Sequence, residues 1–249
     1  MTSMDMSPES KKQVDGFCKK LTKEAEHLLS TFFPQKIAEM DALLQSSLSL
    51  QDPAALRSPL DIPVPDPAKE ELKRKKKEEV VKRPVYLSFS IREVPSTPPP
   101  CGPISCNEKL ETLLKEIKPH IQTLKEKLNT VSMWVQLQIP RIEDGNNFGV
   151  AVQEKVFELL TNTRTKIEAF QTQISKYYSE RGDAVAKASK QPHVGDYRQL
   201  VHELDQYQYF ELRIVVLEIR NTYAVLYDII SKNYDKIKKP RGDCKALIY

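Results

Sequence analysis

Proline divides this chain more sharply than any other residue. Eleven of its seventeen prolines fall between Pro53 and Pro103. The flanking segments, 1–52 and 104–240, are almost free of the residue that removes a helical hydrogen bond and clashes with the preceding turn. Both can therefore carry long helices, and seven glycines in 249 residues leave little turn material for a sheet protein. The expected class is all-α: an elongated up-and-down four-helix bundle, with 53–103 as a proline- and charge-rich linker between the first and second helices.

Periodicity fills in that outline. Ser7 is a good N-cap, followed by Pro8 at the first helical position. Val14, Phe17, Leu21, Ala25, Leu28 and Phe32 then recur at steps of three and four. Pro34 is expected to kink this helix, and Ile37, Met40 and Leu44 continue it to an end near Leu44. A second helix, capped by Asn107, carries Leu110, Leu114, Ile117, Ile121, Leu124, Leu128 and Val131 to about Gln138. A third begins near Val150 and presents Val152, Val156, Leu160, Thr163, Ile167, Phe170, Ile174 and Tyr177. Either Gly182 or the stretch 191–195 ends it.

The fourth helix runs from about Asp196 to Pro240 along Leu200, Leu204, Tyr207, Ile214, Leu217, Leu226, Ile230 and Ile237. At about 1.5 Å per residue, helices of roughly 30 to 40 residues are about 45 to 60 Å long. The fourth is also apolar off that stripe, at Tyr209, Phe210, Val215, Val216, Ile219, Tyr223, Val225 and Ile229. A bundle of four has one core, so apolar residues all round a helix call for burial against neighbouring subunits.

The net charge of +4 is concentrated. Lys69 to Arg83 holds eight basic and four acidic residues, which leaves the remainder neutral. A basic excess confined to one proline-flanked run is unlike the folded basic face of a nucleic-acid-binding domain, and no nucleic-acid partner is expected. Disorder is expected for 70–100. No stretch approaches the roughly 18 apolar residues that span a bilayer, and the N-terminus has no apolar signal core. Cys18, Cys101, Cys106 and Cys244 are too scattered for a disulfide framework. A soluble intracellular protein is expected, without membrane contact.

The sequence carries little that could do chemistry. A di-iron bundle needs two Glu-x-x-His motifs, and only Glu24 with His27 occurs. His120, His193 and His202, and the pair Cys101 and Cys106, lack zinc spacing. There is no phosphate loop and no nucleophile elbow. No catalytic residue, metal or cofactor is expected.

Two features exceed what a bundle requires. The connection after the second helix, IPRIEDGNNFGV from Ile139 to Val150, combines the rigid turn residues Pro140, Gly145, Asn146, Asn147 and Gly149 with Arg141, Ile142, Glu143, Asp144 and Phe148 as possible contacts. After Pro240 the segment 241–249 ends in the apolar Leu247, Ile248 and Tyr249, a tail suited to capture with its carboxylate in a lysine-bearing pocket.

Several stretches resemble a known family. They are FFPQKIAEMDALL, PLDIPVPDP, PPCGPISCNEK, WVQLQIPRIEDGNNFGVAVQEKVFEL, QISKYYSERGDAVAKASKQPHVGDYRQLVHELD, EIRNTYAVLYDII and KKPRGDCKALIY. Together they are similar to the eleven-S, or REG, proteasome activators, most closely the alpha-type subunit, over nearly the whole chain outside the middle linker. The resemblance implies a ring, usually of seven subunits, in which alpha-type and beta-type chains mix. It implies a tail (Leu247, Ile248, Tyr249) that enters pockets in the outer alpha ring of the proteasome core particle. It implies an activation loop (Arg141, Ile142, Glu143, Asp144, Gly145, Asn146, Asn147, Phe148, Gly149), with Asn146 at its tip, that opens the gate without ATP. The implied role is non-enzymatic enhancement of short-peptide hydrolysis and antigen-peptide production, in the cytoplasm with nuclear access left open. One departure concerns the insert: the family's long alternating Lys/Glu run is replaced by a short basic run and RPVYLSFSIREVPST. The alternative is a helical scaffold with another partner, using the basic run for nuclear import or an anionic surface.

Overall fold

The computed structural model describes residues 7–50, 52–81, 101–143 and 145–241, and among them all regular structure is helical. Helix α1, Pro8–His27, starts as its residues dictate: the Ser7 hydroxyl accepts the Ser10 N–H at 3.2 Å, and Pro8 occupies a position whose N–H would be unpaired anyway. Leu28–Phe32 then form a single π turn, after which α2 spans Phe33–Gln45. Pro34 explains the turn. Its ring would crowd the carbonyl of Ser30, and the wider turn, in which the Phe33 N–H reaches Leu28 O, relieves that contact. The expected kink is thus a widening that inserts one residue. It brings Phe33 inward in place of Phe32, so Phe33 is fully buried, with its ring 5.0 Å from that of Tyr223, and Phe32 is only half-buried, while Met40 and Leu44 further on are buried as expected.

A 3₁₀ turn at Pro53–Leu56, capped by Asp52, leads to α3 at Pro67–Val81. Helix α3 corrects the expectation of disorder from residue 70. Asp66 Oδ1 accepts the Ala68 N–H at 3.1 Å, Glu71 stands four residues before Lys75, and Lys, Arg, Glu and Leu are all strong helix formers. Lys69, Glu71, Arg74, Lys75 and Lys76 are exposed on this helix. The rest of that expectation, 82–100, lies outside the described residues.

Three long helices follow: α4 at Glu108–Gln138, α5 at Phe148–Lys190 and α6 at Gly195–Lys232, then a short α7 at Tyr234–Lys238. Helix α5 passes through Gly182 because Ala184 and Ala188 keep packing beyond it, and it stops before Pro192. The fourth expected helix is broken in two at Asn233, whose Nδ2 donates to Ile229 O at 2.8 Å.

The residues form two compact units, Met1–Gln51 with Thr112–Ile174 and Phe210–Tyr249, and Asp52–Glu111 with Ser175–Tyr209. In the first, the core is built from Leu21, Ala25, Leu28, Phe33 and Met40, the α4 stripe from Ile117 to Trp134, Val156, Leu160 and Ile167 of α5, and the α6 residues Leu212 to Ile230. Arg220 Nη1 donates to Asp41 Oδ1 at 2.6 Å, and Arg213 caps the end of α2 through Leu44 O (3.2 Å) and Leu48 O.

The face of α6 that enters this core departs from the expectation in part. Leu226 and Ile230 are buried as expected, but Ile214, read as core-facing, is 48% exposed, whereas Val215, Val216, Ile219 and Tyr223, read as the far side, are buried. A helix apolar all round gives two stripes without a polar face to rank them, and only the packing decides, as where Tyr223 meets Phe33 of α2. Phe17 and Val14 of α1, also read as core, are exposed.

The second unit closes around a buried carboxylate. Asp205, with no exposed surface, accepts from Tyr177 Oη, Arg181 Nε and Asn107 Nδ2, each at 2.8 Å. Burial, and then the Asp205 charge, push the Tyr177 hydroxyl pKa well above its ordinary value. Asn107 caps α4 as expected, its Oδ1 accepting the Lys109 N–H at 3.2 Å, and its Nδ2 also holds Leu56 O at 2.8 Å. Leu56 and Ile62 of the proline-rich segment are buried in this unit. Among the described residues no helix is long and apolar enough to cross a membrane, and no group of His, Cys, Asp and Glu could hold a metal ion.

Candidate functional site

Helix α4 gives way at Gln138, where the Ile139 N–H turns back to Gln136 O (3.1 Å) and Pro140 forbids another turn. The chain reverses at Gly145 and Asn146, which both have positive φ, 85° and 48°. Glycine adopts this without cost, and asparagine is among the few other residues that tolerate it. Asn147 then begins α5, its carbonyl accepting the Ala151 N–H at 2.9 Å.

The reversal is braced from inside. Arg141 Nε donates to Glu143 Oε1 at 2.9 Å, and Asn147 Nδ2 donates to Glu143 O at 3.2 Å. Ile142 is 97% exposed and Phe148 72%, so the loop's apolar groups face outward. Lys236 lies over the Phe148 ring, 4.9 Å from its centroid.

The root of the C-terminal segment completes the arrangement. Arg241 Nη1 donates to Arg141 O (2.8 Å) and Glu143 Oε2 (2.9 Å), and its Nη2 donates to Asn147 Oδ1 (3.0 Å). The two arginines, Arg141 first, hold the Glu143 carboxyl below the ordinary carboxylate range. Gly149 lies so close to Pro240 that a β-carbon there would meet its carbonyl oxygen at 2.0 Å. Fully buried Gln153 donates its Nε2 to Gln138 O (2.9 Å) and Ile237 O (2.7 Å), joining the end of α4 to α7. Helix α7 is also held by Tyr234, whose hydroxyl reaches Glu26 Oε1 at 2.5 Å and whose ring stacks on Trp134, and by Lys238 at 2.8 Å from the same Glu26 oxygen.

Together these contacts make a shaped loop on a rigid base. Residues 8–67 match the family model "Proteasome activator PA28, N-terminal", and residues 103–246 match "Proteasome activator PA28, C-terminal". The chain belongs to the proteasome activator PA28 family. Proteasome activator complex subunit 2 of Mus musculus is 51% identical over 247 residues, covering 98% of this chain and 97% of that one. Subunit 3 of Homo sapiens is 38% identical over 254 residues, covering 99% and 98%. The crystal structure of the 11S subunit of the Plasmodium falciparum proteasome, PA28, aligns with a TM-score of 0.75 at 26% identity, covering 97% and 96%. The activator PA26 of Trypanosoma brucei, solved in complex with the yeast 20S proteasome, shares the fold at a TM-score of 0.53 and 12% identity, covering 90% and 98%.

In this PA28-family chain the loop residues separate into two sets. Arg141, Glu143, Asn147 and Gly149 converge on Pro240 and Arg241, while Ile142, Gly145, Asn146 and Phe148 form the exposed rim. Asp144, Leu247, Ile248 and Tyr249 lie outside the described residues. Sequence reasoning missed Arg241, Gln153 and the break before α7. Gln153 had a signal, since it stands three residues before Val156 and seven before Leu160 on the buried stripe of α5, where a polar residue needs a partner. Arg241 had none, being one more cation after a proline.

Proposed function

We propose that this chain is a non-enzymatic, ATP-independent subunit of an activator ring, probed at the core particle of the proteasome. Tails ending in Leu247, Ile248 and Tyr249 dock on the outer alpha ring of the core, and the loop Arg141–Gly149 then favours the open gate, which speeds entry of short peptides and feeds antigen-peptide production. The reading is carried by one observation: in a PA28-family chain the loop and the root of the tail are hydrogen-bonded into a single body.

The energetics need no nucleotide. One tail buries little area and binds weakly, but several on one ring engage at high effective concentration. The loop needs only a higher affinity for the open gate than for the closed one, which shifts a population without turnover. The exposed α6 residues Ile214 and Val225, three turns apart on one stripe, support a ring in which neighbouring subunits cover that face. The proposed partners there are copies of this chain and a beta-type subunit, with seven subunits per ring and the cytoplasm as the place of action.

The test is to add the purified ring to latent core particles and follow cleavage of a short fluorogenic peptide. Hydrolysis should rise without ATP. Deleting Leu247–Tyr249 should abolish binding, whereas Asn146→Trp should bind and stimulate less. Both variants matching the parent would overturn the division of labour, and a parent ring that never binds cores would overturn the reading.

A further inference from the structure

The contacts of Arg241 are not those of an ordinary surface cation. Its side chain is 18% exposed although its partner Glu143 is 43% exposed and Arg141 82%. It reaches three different residues of the loop and three kinds of acceptor: a main-chain carbonyl, a carboxylate and a side-chain amide oxygen. A guanidinium presents its donors in one rigid plane, so satisfying three acceptors with two nitrogens fixes where those acceptors stand relative to one another. Lysine, a point charge on a flexible stem, cannot impose that geometry.

The main chain adds a second point of attachment. Pro240, whose φ is locked by its ring, lies directly against Gly149 with no room for a methyl group between them. Behind it α7 is tied to α1, α4 and α5 through Glu26, Trp134 and Gln153. Residues 240 and 241 therefore cannot shift as a pair without moving Asn147 and the loop with them.

We infer that Arg241 is a positioning residue through which the root of the C-terminal tail sets the location of the loop, so that a docked tail delivers the loop tip at one fixed place. This rests on the activator reading above. It adds to that reading a residue which belongs to neither the tail's end nor the loop, and whose loss uncouples docking from stimulation.

The experiment compares assembled full-length rings carrying Arg241→Ala and Arg241→Lys with the parent. Three quantities are measured: affinity for the core particle, the plateau of stimulated hydrolysis at saturating ring, and the rate of tryptic cleavage after Arg141 in the free ring. Arg241→Ala should keep its affinity within about twofold, lose about fivefold or more of the plateau, in the usual range for coupling between sites, and be cut faster after Arg141. Arg241→Lys should restore the charge but only a minor part of the plateau. A purely structural residue would instead lower affinity and plateau together.

If Arg241→Ala does not assemble, the acceptors are removed from the other side with Glu143→Gln and Asn147→Ala, which should reproduce the lowered plateau at unchanged affinity. In rings that do assemble, adding Arg241→Ala to that pair should cost nothing further; additive losses would overturn the inference, as would a parent-like plateau and cleavage rate for Arg241→Ala. A parent ring without stimulation would point instead to failure of the activator reading, and the tryptic comparison on the free ring would still decide whether Arg241 holds the loop.

Discussion

At Gly149 and Gly145 the same residue type is required for different reasons. Gly145 has a φ of 85° with open space around it, so an added methyl meets only backbone strain, of about 1 kcal/mol. Gly149 is limited by Pro240, and alanine there would overlap a carbonyl group that cannot rotate away. Overpacking of this kind costs about 1–3 kcal/mol and displaces whichever segment yields first. Gly149→Ala should therefore lower the melting temperature and, by moving Pro240, reduce stimulation of peptide hydrolysis more than Gly145→Ala does. Thermal melts and peptidase assays on the two variants check this ordering. Asp205 belongs to the same scale: a buried carboxylate with three donors, it holds Asn107, Tyr177 and Arg181 in one arrangement.

Among the elements, α7 is the one whose place depends on a few polar contacts, since five residues cannot hold a helix by themselves. Glu26 accepts from Lys238 and Tyr234, and the Lys238 bond, followed by that of Tyr234, lowers its pKa. A carboxyl lowered by folding contributes above its unfolded value, about 4.3, and that contribution is lost as pH falls through the lowered value. The raised pKa values of Lys238 and Tyr234 act at the other end, above about pH 10. The docking of α7 should thus be level through neutral pH and weaken in acid. Trp134, the only tryptophan in the chain, stacks on Tyr234 with centroids 6.1 Å apart, and so reports this directly. Its emission should stay constant between about pH 6 and 9 and shift below about pH 4, and Glu26→Gln should shift it at neutral pH. An unchanged spectrum in that variant would show that α7 is held by packing alone.

For the whole molecule the exposed stripe of α6 is the face where neighbouring subunits are proposed to pack. Ile214 and Val225 are nearly half exposed on a helix whose opposite side is filled by Val215, Val216, Ile219 and Tyr223. A change on the exposed stripe should spare the fold and disturb assembly. Ile214→Lys is expected to keep the parent's helical circular dichroism while its mass in solution falls toward that of one subunit. A ring of parental mass would remove α6 from the proposed contact between subunits.

The sequence by itself determined what neighbouring residues can settle. Ser7 with Pro8 starts α1, Asn107 starts α4, Pro140 ends it, and Gly145 with Asn146 reverses the loop, because each of these outcomes follows from the chemistry of a few consecutive residues. The seven apolar residues expected on the α4 stripe are all buried, since a helix with one apolar side has one way to bury it. Only the tertiary structure decided the rest. The π turn before Pro34 buries Phe33 in place of Phe32, and α6 buries residues of both its stripes, Val215, Val216, Ile219 and Tyr223 with Leu226 and Ile230, because its packing partners, not its own pattern, choose among them. Arg241 finds Arg141 across a separation of one hundred residues, and Gln153 finds Ile237 across eighty-four. Pairings over such distances leave no local trace in the chain, since they exist only once the helices that carry them have packed.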